Sequence, residues 1–268
     1  MKLNLSILAG ALALAVAGQA NAAIVDTNAA NGSDLILSVW NATTGVSFTQ
    51  DLGISSASLV DQTTLLNIVS PLPTVTLPAA NATLAGLLAG GTSGFQWNVT
   101  AGNTATQTIL TTATTATTPA TVAALTDSAL TIGLGNYQTY LAGVNAAAGT
   151  NNFASVTGAT NNAYAGLNVF GSNWSGNTKF GSTAAIGSAL NFFFATTSGT
   201  GTAVTQQFTS GTNALQFNLA SNGTLTFAPA AVAAVPEPSE WLLMLSGFGL
   251  VGFIASRRKN LGNKVSFA

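Results

Sequence analysis

The chain has 268 residues with six Lys plus Arg, seven Asp plus Glu, no His and no Cys, so it is 5% charged and 47% hydrophobic, where soluble domains average about 25% charged. That inventory excludes a Ser-His-Asp triad, a Cys nucleophile, a disulfide framework and thiolate or imidazole metal sites. Six basic residues also leave too little positive charge for a nucleic-acid partner, and no cofactor or metal site is expected.

The charges are unevenly placed. Lys2 stands at the start, Glu237, Glu240, Arg257, Arg258, Lys259 and Lys264 stand near the end, and residues 23–234 hold only Asp26, Asp34, Asp51, Asp61, Asp127 and Lys179. Both ends thus pair charge with apolar runs, around a body of formal charge −4.

The first 22 residues read as a secretory signal. Met1-Lys2 is a short positive region, Leu5 to Ala17 is apolar apart from Ser6 and Gly10, and Ala20-Asn21-Ala22 supplies a small-x-small cleavage site. These three parts in this order define a signal peptide, with signal peptidase cutting after Ala22. An exported body without Cys must be stabilised by core burial rather than by disulfides.

Within the body, Asp34 to Asn41 and Val46 to Gln50 predict a hairpin around Ala42-Thr43-Thr44-Gly45, with Leu35, Leu37 and Val39 on one face and Ile36 and Trp40 on the other. Ser58 to Val69 carries Leu59, Leu65, Leu66 and Val69 at helical spacing, and Asn81 to Ala89 is a second short helix behind a capping Asn. Phe95 to Thr100 alternates as a strand. Residues 100–121 are half threonine, and the low-complexity run Thr111 to Thr118 has so little to bury that it predicts a solvated, O-glycosylated or adhesive loop.

Tyr137, Tyr140, Leu141 and Val144 give the clearest helical period, over Asn136 to Ala148. Asn151 to Gly187, rich in Asn, Gly and Ser, reads as loops with brief structured pieces. Ala189 to Thr197, Ala203 to Thr209, Asn213 to Ala220 and Thr224 to Ala228 predict a meander, closed by a type I′ turn at Asn222-Gly223. The expected fold class is mainly β with short helices (α+β): an antiparallel sheet or β-sandwich with one buried face, flanked by an N-terminal signal helix and a C-terminal transmembrane helix.

The last segment has three ordered parts. Val235, Pro236, Glu237, Pro238 and Ser239 form an extended motif in which two prolines oppose a continuing helix or ladder. Residues 241–256 are predominantly apolar and about 24 Å long as a helix, somewhat short of a hydrocarbon core of about 30 Å, a gap that local thinning can close. Arg257, Arg258 and Lys259 then form a basic cluster, with residues 260–268 beyond it. The basic side faces the cytoplasm by the positive-inside rule, so the body lies outside, in agreement with the signal peptide.

These residues resemble the PEP-CTERM protein-sorting signal of Gram-negative bacteria that make extracellular polysaccharide. The likeness covers Val235 to Lys259. It implies recognition by a membrane-embedded exosortase, with Pro236, Glu237 and Pro238 as the recognition element and Arg257 to Lys259 as the stop-transfer element. The sequence departs from the pattern by continuing to Phe267-Ala268. The resemblance further implies an inner-membrane stage, then a place at the cell surface or outside it, in association with exopolysaccharide, biofilm or floc material.

Two other readings compete with that one. A permanent C-terminal anchor would make the chain a fixed surface adhesin. An exported carbohydrate-active enzyme would require two Asp carboxyls about 5 to 10 Å apart across a sugar, whereas Asp34 and Asp51, which begin and follow the predicted hairpin, suit turns and strand ends. In the body, residues 23–234, six Asn-x-Ser/Thr triplets begin at Asn31, Asn41, Asn81, Asn98, Asn173 and Asn222. Trp40 and Trp97 fit strand cores, and Trp174, in a Gly/Ser/Asn loop, is the candidate exposed aromatic. A body with so few charges has little electrostatic repulsion between copies, which predicts association with neutral polymers or with itself.

Overall fold

In a computed structural model, residues 24, 27–29, 31–60, 68–69, 72, 74–117, 125–167, 183–230 and 238–262 are described. Two compact units divide the chain, Met1–Ala230 and Ala231–Ala268. The predicted signal helix, with Ala20 and Ala22, lies outside the described residues.

The first unit is built on one antiparallel sheet. Its strands are β1 (Asp34–Asn41), β2 (Val46–Ser55), β3 (Phe95–Asn103), β4 (Thr108–Thr114), β5 (Phe153–Thr157), β6 (Ala184–Ala185), β7 (Leu190–Thr196), β8 (Val204–Gln207), β9 (Thr209–Ser210), β10 (Asn213–Leu219) and β11 (Leu225–Pro229). The main path runs β11-β10-β7-β4-β3-β1-β2-β5, with β6, β8 and β9 paired off it. Among the described residues, two α-helices belong to this unit, α1 (Ala82–Ala89) and α2 (Asp127–Ala148).

Both faces of the sheet are covered, not one as expected. Leu35, Leu37 and Val39 join Phe48, Trp97, Val99, Leu110, Phe192, Phe194 and Phe217 in a core that also takes in Leu84 and Leu88 of α1. Ile36 and Trp40 join Ile109, Phe193 and Ala195 in a second core against α2. The period of two explains this split, since alternate side chains of one strand serve opposite faces. A strand apolar on both faces, such as Leu190–Thr196 with all seven residues buried, is the mark of a sheet covered on both sides.

Helix α2 is far longer than the predicted 136–148, at 22 residues. Leu130, Leu134, Tyr137, Leu141 and Val144 line its buried face, as an amphipathic helix requires. It begins earlier because Thr126 caps it: the Thr126 hydroxyl accepts from the backbone N–H of Ala129 at 3.1 Å. Gly102 of β3 lets the helix approach the sheet, for a Cβ there would lie 2.8 Å from Leu134 Cδ2 and 3.1 Å from Tyr137 Cδ1.

Several expectations are corrected. Thr111 to Thr114 is not a solvated loop but part of β4, an inner strand between β3 and β7, with Thr111 and Thr112 fully buried. Threonine is β-branched and suits a pleated surface, and burial between two partners supplies what the local composition lacked. The predicted helix over Ser58–Val69 does not run through: a 3-10 turn at Ser56–Ser58 is followed by a bridge between Val60 and Ile68, with the Val69 N–H on the Leu59 carbonyl at 3.1 Å, and residues 61–67 lie outside the described residues. The predicted meander is broken, because β10 pairs with β7 as well as with β11 while β8 pairs with a different part of β7. The β10–β11 turn is not type I′, which needs positive φ at both central residues. Here Gly223 alone is left-handed, at φ +82°, and its N–H donates to the Ala220 carbonyl at 2.9 Å, as in a three-residue loop with a glycine bulge.

Candidate functional site

The second unit holds the chain's most concentrated signal, helix α3 (Pro238–Gly262), 25 residues long. Pro238 opens it, the position at which a missing N–H costs nothing. Val235, Pro236 and Glu237 lie outside the described residues. Ser239 falls in the first turn, and Arg257, Arg258 and Lys259 fall near the C-terminal end, where positive residues complement the helix dipole.

Between these ends the helix has no polar face. Leu243, Met244, Leu245, Phe248, Leu250, Val251, Phe253 and Ile254 are each more than half exposed, and Ile132 is the one other exposed large apolar residue among those described. The two hydroxyls in this stretch are turned inward: Ser246 donates to the Leu243 carbonyl and Ser256 to the Phe253 carbonyl, each at 2.9 Å. A helix with its hydroxyls satisfied on its own carbonyls and apolar side chains all round is suited to an apolar medium. Its apolar run, Trp241 to Ala255, is nevertheless only about 22 Å long at 1.5 Å per residue. Among the described residues no helix is long and apolar enough to cross a membrane.

In the first unit three acidic residues are described, and two of them, Asp51 and Asp127, accept backbone hydrogen bonds. Asp34 opens β1, and partial burial raises its pKa above the ordinary carboxylate value. Asp51 is buried inside β2, opposite Ile36, rather than following the hairpin, and its carboxylate accepts from the Gly53 N–H at 2.7 Å. Asp127, the first residue of α2, accepts from the N–H of Ser198 at 3.0 Å and of Gly201 at 3.1 Å. The Ser198 N–H is the largest cause of its lowered pKa. Asp26 and Asp61 lie outside the described residues.

Between sheet and α2 runs a buried polar strip that the sequence did not advertise. The Tyr140 hydroxyl lies 3.0 Å from Ser38 Oγ and also bonds the Thr49 hydroxyl. Tyr137 donates to the Thr100 carbonyl at 3.1 Å. Burial pushes both phenols up, Tyr140 to about 12 and Tyr137 further, so each is a neutral donor rather than an acid at any physiological pH. Asn98 is fully buried beside Ser38 in the register, and its side-chain amide has no hydrogen-bond partner among the described residues. An Asn so placed is closed to modification once the chain has folded, unlike Asn222, which is exposed in its turn. Trp40 and Trp97 are core residues, as expected; Trp174 lies outside the described residues.

A groove of about 720 Å³ opens beside β8 to β11, walled by Ile68, Val69, Leu72, Thr74 and Val75 on one side and by Gln206, Gln207, Thr209, Ser210, Leu215, Phe227 and Pro229 on the other. No motif marks these residues, which come from segments about 130 positions apart. Neither it nor the small cavity lined by Asn31, Ser56 and Asn103 is lined by Asp34, Asp51 or Asp127.

Residues 234–259 match the family model of the PEP-CTERM protein-sorting motif. The tail is therefore a protein-sorting signal, and the chain is a sorted protein directed to an exosortase through it. Searches of the curated proteins and of the solved structures returned no match.

Proposed function

We propose that this chain is an exported, non-enzymatic surface or matrix protein. Its signal peptide, residues 1–22, is removed by signal peptidase, and its body, residues 23–234, reaches the periplasm. Helix α3 then holds it in the inner membrane, with Arg257, Arg258 and Lys259 on the cytoplasmic side as the stop-transfer element. The short apolar run is accommodated by local thinning and by outward-reaching basic side chains. An exosortase-like protease recognises Val235 to Ser239, cuts near them and frees the body to associate with exopolysaccharide, biofilm or floc material.

The observation that carries this reading is the coincidence of the sorting match at residues 234–259 with a helix whose large apolar residues from Leu243 to Ile254 are exposed. The non-enzymatic part is supported by the employment of Asp51 and Asp127 in backbone hydrogen bonds. Mass spectrometry of the exported protein from its native host tests the proposal. The expected mature C-terminus lies close to Pro238, with residues 241–268 gone; an exported pool intact to Ala268 would overturn sorting in favour of a permanent anchor.

A further inference from the structure

The groove beside β8 to β11 combines apolar and hydrogen-bonding residues in one lining. Its volume of about 720 Å³ lies in the range of small-molecule sites, about 300–1,000 Å³. None of the described residues lining it is charged. The hydroxyls of Thr74, Thr209 and Ser210 and the amide of Gln207 have no side-chain hydrogen-bond partner among the described residues, while Gln206 is spent in holding the Ile68 N–H at 3.0 Å. Thr74, Thr209 and Ser210 are also exposed. These are two-way or paired donor–acceptor groups, so the groove offers hydrogen bonds of both senses without offering an ion pair.

The apolar part of the lining is held rigidly. Phe227 is half-buried, stacked on Phe217 at 4.4 Å between ring centroids and set edge-on to Phe192 at 5.9 Å. Its ring therefore enters the groove with its orientation already paid for. An aromatic surface bordered by neutral hydroxyl and amide groups complements a ligand with C–H faces and a rim of hydroxyls. It disfavours a polyanion, which would find no cation among these residues, and a lipid chain, which would strand the hydroxyls and amides against hydrocarbon.

We propose that this groove binds a neutral polysaccharide, one or a few sugar rings at a time, with Phe227 as the stacking surface and Thr74, Gln207, Thr209 and Ser210 as hydrogen-bonding partners. The inference rests on the exported-matrix reading only for where such a polymer would be met. Affinity per site is modest, because exposed hydroxyl contacts exchange with water at little net gain, and display of many copies on one polymer supplies the avidity.

Isothermal titration of the full-length protein in lipid nanodiscs, with empty nanodiscs as the blank, tests it. The probes are dextran, cellohexaose and mannohexaose, with hexagalacturonate as the charged counterpart. Saturable heat is expected with at least one neutral glycan, unchanged by added salt. Phe227→Ala and Thr209→Arg should each weaken it about tenfold or more, equivalent to about 1.4 kcal/mol, while Thr139→Ala on the exposed side of α2 leaves it unchanged. Thr209 is exposed, so Thr209→Arg keeps the test open if Phe227→Ala fails to fold. No saturable heat with any of the three neutral glycans, full binding by Thr209→Arg, or preference for hexagalacturonate would each overturn the proposal. Because sorting is read from the mature C-terminus and binding from purified protein, either can fail while the other stands.

Discussion

The two units use apolar residues in opposite ways. In the body, Phe192, Phe193 and Phe194 are consecutive and all fully buried, because sheet faces alternate and both are covered. In the tail, Phe248, Leu250 and Val251 are all more than 60% exposed. The body buries its apolar residues in its own cores, whereas the large apolar residues from Leu243 to Ile254 of the tail are left exposed. A hydropathy average cannot tell these cases apart, but the presence or absence of a covering layer does.

That contrast is breakable by substitution. The largest effect is expected in the body: Trp97→Ala removes a fully buried ring and should cost about 3–5 kcal/mol, read as a lowered urea midpoint. The matched tail variant, Phe248→Ala, should leave that midpoint unchanged and instead weaken retention in the membrane fraction. An equal loss of body stability from both variants would refute the division into self-sufficient and dependent units.

A smaller effect is expected where polar groups are buried. Tyr140→Phe leaves the Ser38 and Thr49 hydroxyls without their shared partner, at about 1–3 kcal/mol. Tyr164→Phe, which frees only the Asn41 carbonyl from a 3.1 Å bond, should cost less. A reversed order in thermal denaturation would mean that the strip beneath α2 is not the more demanding of the two.

The smallest effects are pH-dependent and opposite in sign. Asp127 has a lowered folded pKa, chiefly through the Ser198 N–H, so its contribution is present above the unfolded carboxylate value and lost as pH falls through the folded one. Asp127→Asn should therefore be less stable than the parent at neutral pH, with the gap closing in acid. Asp34 has a raised folded pKa from burial, so the folded state keeps its proton longer and stability falls as pH rises between the unfolded and folded values. Asp34→Asn should be the more stable form at neutral pH, again converging in acid. Denaturation curves across the acid range that shift both variants in the same direction would refute these assignments.

Much of the architecture was readable because it is local. Alternation at Leu35 to Trp40 specified a strand with two apolar faces, Asn81 marked the start of α1, and Val235 to Lys259 carried the sorting signal in ordered segments. The first turns of α2 were missed because Thr126 caps against a neighbouring loop, with Ala203 and Gly201 bonded to Leu125 and Asp127. The groove left no trace in the sequence because its two walls are far apart in the chain and none of its residue types is distinctive alone.

The sequence by itself determined the sorting signal. A signal addressed to processing machinery must be legible as a short continuous segment, and its length, charge and proline placement suffice to describe it. Only the tertiary structure decided what the threonine-rich stretch becomes, for Thr111–Thr114 carries a single apolar side chain, Ala113, and no pattern that would demand burial. Between β3 and β7, however, Thr108 to Thr111 find ladder partners on both sides and Thr112 to Thr114 find them on β7, so the neighbouring strands take up the backbone hydrogen bonds. A strand's fate there depends on its neighbours, and those neighbours are specified elsewhere in the chain.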